Sequence, residues 1–113
     1  MRVLAIDPAV RNTGYAVLEG DPRQPAVLGY DVISIPQKLI QSAALAAVRT
    51  HLANIIQKYQ PDEVAVEGII YVQSHLTAIT MGAARAAALI AAADHGLPVY
   101  EYCLLYTSPS PRD

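Results

Sequence analysis

The sequence predicts an α/β domain in which five strands form a mixed sheet with flanking helices. Short apolar runs at residues 3–6 and 64–66 have the length and aliphatic content of buried strands. Two longer segments, 37–60 and 75–95, repeat apolar residues at helical spacing. Read in order, the patterns give three strands, a helix, a strand, a helix and a last strand.

The first strand is predicted at residues 2–7, where the apolar run ends on Asp7. Pro8 follows at once and cannot donate a hydrogen bond to a sheet. Asn12 and Gly14 are typical turn residues, so we expect a turn before the second strand at 15–19.

A loop at 20–25 contains two prolines and separates the second strand from the third, predicted at 27–35. The third strand has a mixed pattern, which is typical of a sheet edge.

The first helix is predicted at 37–60, after Pro36 and before Pro61, which stops it. Its repeating apolar positions are Leu45, Val48, Leu52, Ile55, Ile56 and Tyr59.

The second helix is predicted at 75–95, between Ser74 as a helix cap and Gly96 as a stop. Its repeating apolar positions are Leu76, Ile79, Ala83, Ala86, Ile90 and Ala93. The fourth strand, 63–67, precedes this helix and the fifth strand, 97–102, follows it.

The connections predict the strand directions. Short loops make the first three strands an antiparallel meander, and the helix after the third strand makes strand 63–67 parallel to the first and third. The pattern allows the fourth strand to lie beside the first or beyond the third. The chemistry favours the first arrangement, because only there do Asp7 and Glu67 emerge from neighbouring parallel strands about 4.8 Å apart.

Composition excludes several classes of protein. The chain has 113 residues, 53% of them hydrophobic, and a formal net charge of −2, so we expect one globular domain without a general basic field for nucleic acid. A single cysteine, Cys103, allows no internal disulfide and fits a reducing compartment. Charged residues interrupt the apolar runs, so we expect neither a signal peptide nor a membrane span, and a cytoplasmic protein.

Asp7 and Glu67 are the candidate chemical groups. Two ionised carboxylates about 4 Å apart repel by roughly 4 kcal/mol at an effective dielectric near 20. Such a pair shares a proton, as in glycosidases and aspartic proteases, or binds a cation. Oxygen ligands on strand ends favour Mg²⁺ or Mn²⁺ and phosphodiester hydrolysis. The simpler alternative is that Asp7 bonds the turn backbone and Glu67 is a solvated strand end.

Several separated motifs resemble the RuvC-type Holliday junction resolvases. They are Ile6-Asp7-Pro8, Thr13-Gly14-Tyr15-Ala16-Val17, Pro61-Asp62, Val66-Glu67, Gly82-Ala83-Ala84-Arg85 with Ala78 before it, and Leu97-Pro98-Val99-Tyr100-Glu101-Tyr102. The resemblance covers residues 1–102. It implies a ribonuclease H-like fold with strand order 3-2-1-4-5 and a homodimeric, Mg²⁺-dependent endonuclease that makes paired nicks across a four-way DNA junction. It further implies that Asp7 and Glu67 are metal ligands and catalytic acids, and that the RuvA–RuvB branch-migration complex is a partner.

Further residues are candidates for contact with nucleic acid. The family carries an aromatic residue three positions after the catalytic glutamate; here that position is Ile70, and Tyr71 follows it. The complete candidate set is Arg11, Thr13, Ile70, Tyr71, Ser74 and Arg85. The alanine-rich face of the second helix is a candidate dimer interface, with packing on its own sheet as the alternative.

The family completes its site with two more acidic positions on a C-terminal helix. Residues 103–113 leave the family pattern for a Ser/Pro-rich sequence that does not look native, so we expect a C-terminally truncated member with weak or no cleavage and one sheet face partly uncovered. Two other functions stay open: a junction-binding or partner-binding module without turnover, and another ribonuclease H-like nuclease that acts on RNA.

Overall fold

A computed structural model describes residues 1–21, 23–67 and 75–102 of the chain. The strands are β1 (Arg2–Asp7), β2 (Asn12–Glu19), β3 (Ala26–Ser34), β4 (Glu63–Glu67) and β5 (Val99–Tyr102), and the helices are α1 (Gln41–Tyr59) and α2 (His75–Asp94). None of the described helices is long and apolar enough to cross a bilayer.

The five strands form one sheet in the order β3-β2-β1-β4-β5, which confirms the placement of the fourth strand beside the first. β1 and β2 are antiparallel, as are β2 and β3. β1 and β4 are parallel, as are β4 and β5. The connection through α1 therefore brings two distant segments of the chain side by side at the centre of the sheet.

The turn after β1 is shorter than predicted. Asn12 and Gly14 lie within β2, where they pair with Ser34 and Val32 of β3. The reversal is made by residues 8–11 alone, because Pro8 and Val10 are buried there and hold the loop against the core.

Helix α1 begins at Gln41, four positions later than predicted. Residues 36–40 form a turn, in which the Leu39 N–H donates to the Pro36 carbonyl oxygen at 3.2 Å. Ile40 is extended and caps the helix with no side-chain hydrogen bond. At the other end, Gln60 adopts a left-handed conformation with φ 51° and closes the helix before Pro61.

Both described helices pack on one face of the sheet. Alternate strand residues supply its core, and the largest fully buried side chains there are Leu4, Ile6, Val17, Val64 and Val66. Helix α1 contributes Ala44, Val48, Leu52 and Ile56, and helix α2 contributes Ala84, Ala87, Ala88, Ala91 and Ala92.

The buried stripe of α2 is not the apolar stripe that its sequence makes most conspicuous. Ile79 is 66% exposed and Ile90 is 46% exposed, so the stripe containing them faces outward. Because α2 is apolar almost all round, periodicity alone does not select the face, and the helix turns its alanines inward where they allow close approach to α1 and the sheet.

The other face of the sheet carries the alternate strand residues, including Val3, Ala5 and Ala65. Tyr30 and Val32 of β3 and Tyr100 of β5 are exposed there. No helix among the described residues covers this face, which we call the open face.

Leu52 and Ile40 test this division between core and surface. Leu52→Ala removes a side chain that is fully buried, whereas Ile40→Ala trims one that is 72% exposed. We expect Leu52→Ala to lower the free energy of unfolding by about 2–5 kcal/mol and Ile40→Ala to change it by less than about 0.5 kcal/mol. Urea unfolding of the two variants measures both values, and equal losses would contradict the assignment.

Candidate active site

Asp7 is the last residue of β1, and its side chain is exposed on the open face. Alternation along the strand explains this position: Leu4 and Ile6 point into the helix-covered core, so Ala5 and Asp7 point the other way. The carboxylate is therefore held at the end of a rigid central strand, outside the apolar core.

Glu67 ends β4 in the same way, and Val66 before it is fully buried. The parallel register pairs Ile6 with Val66, so the next residue on each strand is an acid. The two carboxyl groups approach closely enough to share a hydrogen bond. Partial burial raises the pKa of Glu67, and the hydrogen bond and negative charge of Asp7 raise it further.

The loop after Asp7 is fixed by Thr13. This threonine is fully buried, and its hydroxyl donates to the Ala9 carbonyl oxygen while accepting the Ala9 N–H at 3.2 Å. Both polar groups of the Ala9 backbone are thereby satisfied. Thr13 thus has a structural role here. Because its side chain is fully buried, the structure does not support its predicted contact with nucleic acid.

Gly14 leaves room beside Asp7. It lies directly opposite Asp7 in the antiparallel ladder, and a Cβ at Gly14 would meet the Asp7 Cβ at 3.8 Å. With Ala5 and Ala16 it lines a shallow depression of about 180 Å³ beside the carboxylate. Sequence reasoning missed this part of the site, because it assigned Gly14 to a turn.

Arg11 and Arg85 are engaged within the fold. The Arg11 guanidinium donates to the carbonyl oxygens of Pro36 and Leu39, each at 2.8 Å. Arg85 of α2 forms an ion pair with Glu101 of β5. These contacts support structural roles, and contact of either residue with a phosphate stays a prediction.

The remaining candidates, Ile70, Tyr71 and Ser74, lie outside the described residues, as does Cys103. Within the described part of the chain, no group of three or more His, Cys, Asp or Glu side chains is placed to hold a metal ion. The described site is thus a pair of carboxylates. It can bind a hard divalent cation through two oxygen ligands, leaving the other positions to water or to substrate oxygens.

A carboxylate pair at the ends of two adjacent central strands, on a five-stranded sheet of order 3-2-1-4-5, places the chain among proteins of the ribonuclease H-like fold. The family model described as "Crossover junction endodeoxyribonuclease RuvC" matches residues 3–107. The chain belongs to this family.

Two curated relatives illustrate the similarity. The RuvC protein of Akkermansia muciniphila is 63% identical over 102 residues, which are 90% of this chain and 61% of the relative. That of Halothermothrix orenii is 37% identical over 102 residues, which are 90% of this chain and 62% of the relative. The chain thus spans about three fifths of the length of these relatives.

Solved structures agree with the fold. Thermus thermophilus RuvC in complex with a Holliday junction substrate superposes with a TM-score of 0.85 at 25% identity, covering 93% of this chain and 66% of that one. A second Thermus thermophilus RuvC structure gives a TM-score of 0.80 at 26% identity, covering 91% and 64% of the two chains.

Glu67→Gln tests the electrostatics of the pair. Because the pKa of Glu67 is raised in the folded state, folding costs free energy once this group must ionise. That cost is absent at low pH and grows as pH rises from about 4.3, the usual glutamate value, through the raised pKa. In EDTA at neutral pH we therefore expect Glu67→Gln to be more stable than the parent chain, with the difference vanishing in acid.

Glu63→Gln, at the other end of β4, is the matched control. It removes a carboxylate from the same strand but not from the pair. Thermal melts from pH 4 to pH 8 measure both variants. A Glu67→Gln protein that is less stable than the parent at neutral pH would contradict the description of the pair.

Proposed function

We propose that this chain is the ribonuclease H-like nuclease region of a metal-dependent endonuclease that resolves four-way DNA junctions by paired nicks, in recombination and repair. The observation that carries the proposal is the contact between the carboxyl groups of Asp7 and Glu67 in a chain of the RuvC family. The Thermus thermophilus relative bound to a Holliday junction supports the class of substrate.

The carboxylate pair fits a divalent metal ion. The hydrogen bond and negative charge of Asp7 raise the pKa of Glu67, and a cation placed between the two carboxyl groups relieves that repulsion. Both donors are oxygen, which suits Mg²⁺, with Mn²⁺ as a substitute. We therefore propose Asp7 and Glu67 as the metal ligands and catalytic acids. When bound, the metal supplies a water of lowered pKa and stabilises charge on the phosphate oxygens.

The chain's own residues position these groups. The buried hydroxyl of Thr13 bonds both backbone polar groups of Ala9 and so fixes the loop that follows Asp7. Gly14, Ala5 and Ala16 keep the surface beside Asp7 low, which lets a DNA backbone approach the acids. The site is thus rigid on its protein side and open on its substrate side.

Two carboxylates are fewer than the four that the family resemblance implies. With only this pair among the described residues, we expect weak metal binding and slow cleavage by the 113-residue chain.

We further propose that the chain acts as a homodimer, because a four-way junction and a dimer share a two-fold axis. The outward stripe of α2 supports this. Ile79, Ala83, Ala86, Ile90 and Ala93 repeat at alternating spacings of four and three, the pattern of helix pairing. Gly82 lies beside this stripe, and a Cβ there would meet open space. By family resemblance, we also propose the RuvA–RuvB complex as a partner.

A nicking assay tests the catalytic proposal. With the 113-residue chain in excess over a synthetic four-way junction, we expect slow cleavage that requires Mg²⁺ or Mn²⁺ and prefers the junction to linear duplex. Asp7→Asn should lower the rate at least about 10²-fold, as for loss of a group that stabilises transition-state charge. Cleavage that survives Asp7→Asn would contradict the proposal.

Ile90→Asp tests the dimer. An unpaired charge buried in an apolar interface costs several kcal/mol, so the dissociation constant should rise at least about tenfold. Val32→Asp is the control, because Val32 is also exposed and apolar but lies on the open face. Analytical ultracentrifugation over a range of concentrations measures both variants. If Val32→Asp dissociates the dimer and Ile90→Asp does not, the interface lies on the open face of the sheet and the proposal is contradicted.

A further inference from the structure

The turn at residues 36–40 lies at the same end of the strands as Asp7 and Glu67. β3 ends at Ser34, which pairs with Asn12, and Gly14 two residues further along β2 lies opposite Asp7. The turn leaves β3 at this end and leads into α1. Two strand spacings separate β3 from β1, a distance of about 10 Å.

Arg11 fastens the turn to the loop that follows Asp7. Its guanidinium donates to the carbonyl oxygens of Pro36 and Leu39, both at 2.8 Å. Its own carbonyl oxygen accepts the Ile35 N–H at 2.8 Å. The Leu39 side chain is partly buried and packs against the core. The turn is thus held in place relative to the loop that follows Asp7.

Four of the five residues of this turn are exposed, among them one cation and one large aliphatic side chain. Lys38 is exposed, and Ile40 is 72% exposed although it is large and apolar. The ion pairs among the described residues involve Arg2, Arg23, Arg49 and Arg85, and Arg11 is bonded to carbonyl oxygens. Lys38 is therefore a cation without an ion-pair partner in the described part of the chain.

We propose that the turn at 36–40 contacts the DNA backbone, with Lys38 on a phosphate and Ile40 against the sugar or base beside it. This inference rests on the proposed function. A positive side chain beside a site that receives a polyanion supplies charge complementarity that the chain as a whole, at net charge −2, lacks.

The chain offers its own control for this proposal. Its only two lysines are Lys38, three residues before α1 begins, and Lys58, in the last turn of α1. Lys58 sits over the Tyr59 ring, 5.1 Å from its centre, at the sheet edge remote from the acids. The helix that begins between the two lysines has 19 residues and is about 28 Å long.

Lysine acetylation followed by mass spectrometry reads both positions in one experiment. The 113-residue chain is labelled in EDTA, which prevents cleavage, with and without a synthetic four-way junction. We expect the junction to protect Lys38 and to leave Lys58 as reactive as in the free chain. If the chain binds the junction and Lys38 stays reactive, the inference is overturned while the proposed function stands. If the chain binds no junction, both are overturned.

Matched variants measure the size of the contact. Lys38→Gln should weaken junction binding by up to about fivefold, the upper range for an exposed ion pair, and should reduce the slope of log K against log salt by about 0.9. Lys58→Gln should change neither. Equal effects of the two variants would show a general charge effect and overturn the inference.

Discussion

The closeness of the Asp7 and Glu67 carboxyl groups is the feature on which the candidate site depends. The two residues are sixty positions apart in the chain, and they meet because β1 and β4 are adjacent and parallel. That adjacency depends on α1, which carries the chain from the edge strand β3 back to the centre of the sheet. Partial burial of Glu67 and the neighbouring Asp7 carboxyl group raise the pKa of Glu67, so ionisation of Glu67 in the folded chain costs free energy. We propose that a divalent metal ion held by both carboxylates offsets this cost.

Some residues around the pair fix the backbone beside it, and others leave the pair accessible. Buried side chains and the Thr13 hydroxyl fix the loop beside Asp7, while small residues keep the adjoining surface open. Arg11 extends this fixed region to the turn before α1, across 25 to 28 residues of sequence. The acids and an exposed lysine therefore lie at the same end of the strands. The helix-covered face contains the apolar core that stabilises the sheet.

The sequence predicted what local pattern determines. The bounds of β1 and β4 were correct, because each is a short apolar run that ends on an acid. The start of α1 was wrong, because residues 36–40 are held as a turn by Arg11, a contact that helical periodicity does not reveal. The sequence did not predict which face of α2 is buried, because alanine and isoleucine are both apolar. Packing against α1 and the sheet determines that the alanines face inward. Gly14 was assigned to a turn, although it lies in β2 opposite Asp7.

Metal binding at the pair tests the account most directly. In amide spectra of the isotopically labelled 113-residue chain, substoichiometric Mn²⁺ should broaden the signals of Asp7, Gly14 and Glu67 before any others. Asp7→Asn should abolish this broadening, and Asp21→Asn, in the loop after β2 at the opposite edge, should leave it intact. Broadening centred elsewhere, or unchanged by Asp7→Asn, would contradict the claim that these two carboxylates form the metal site.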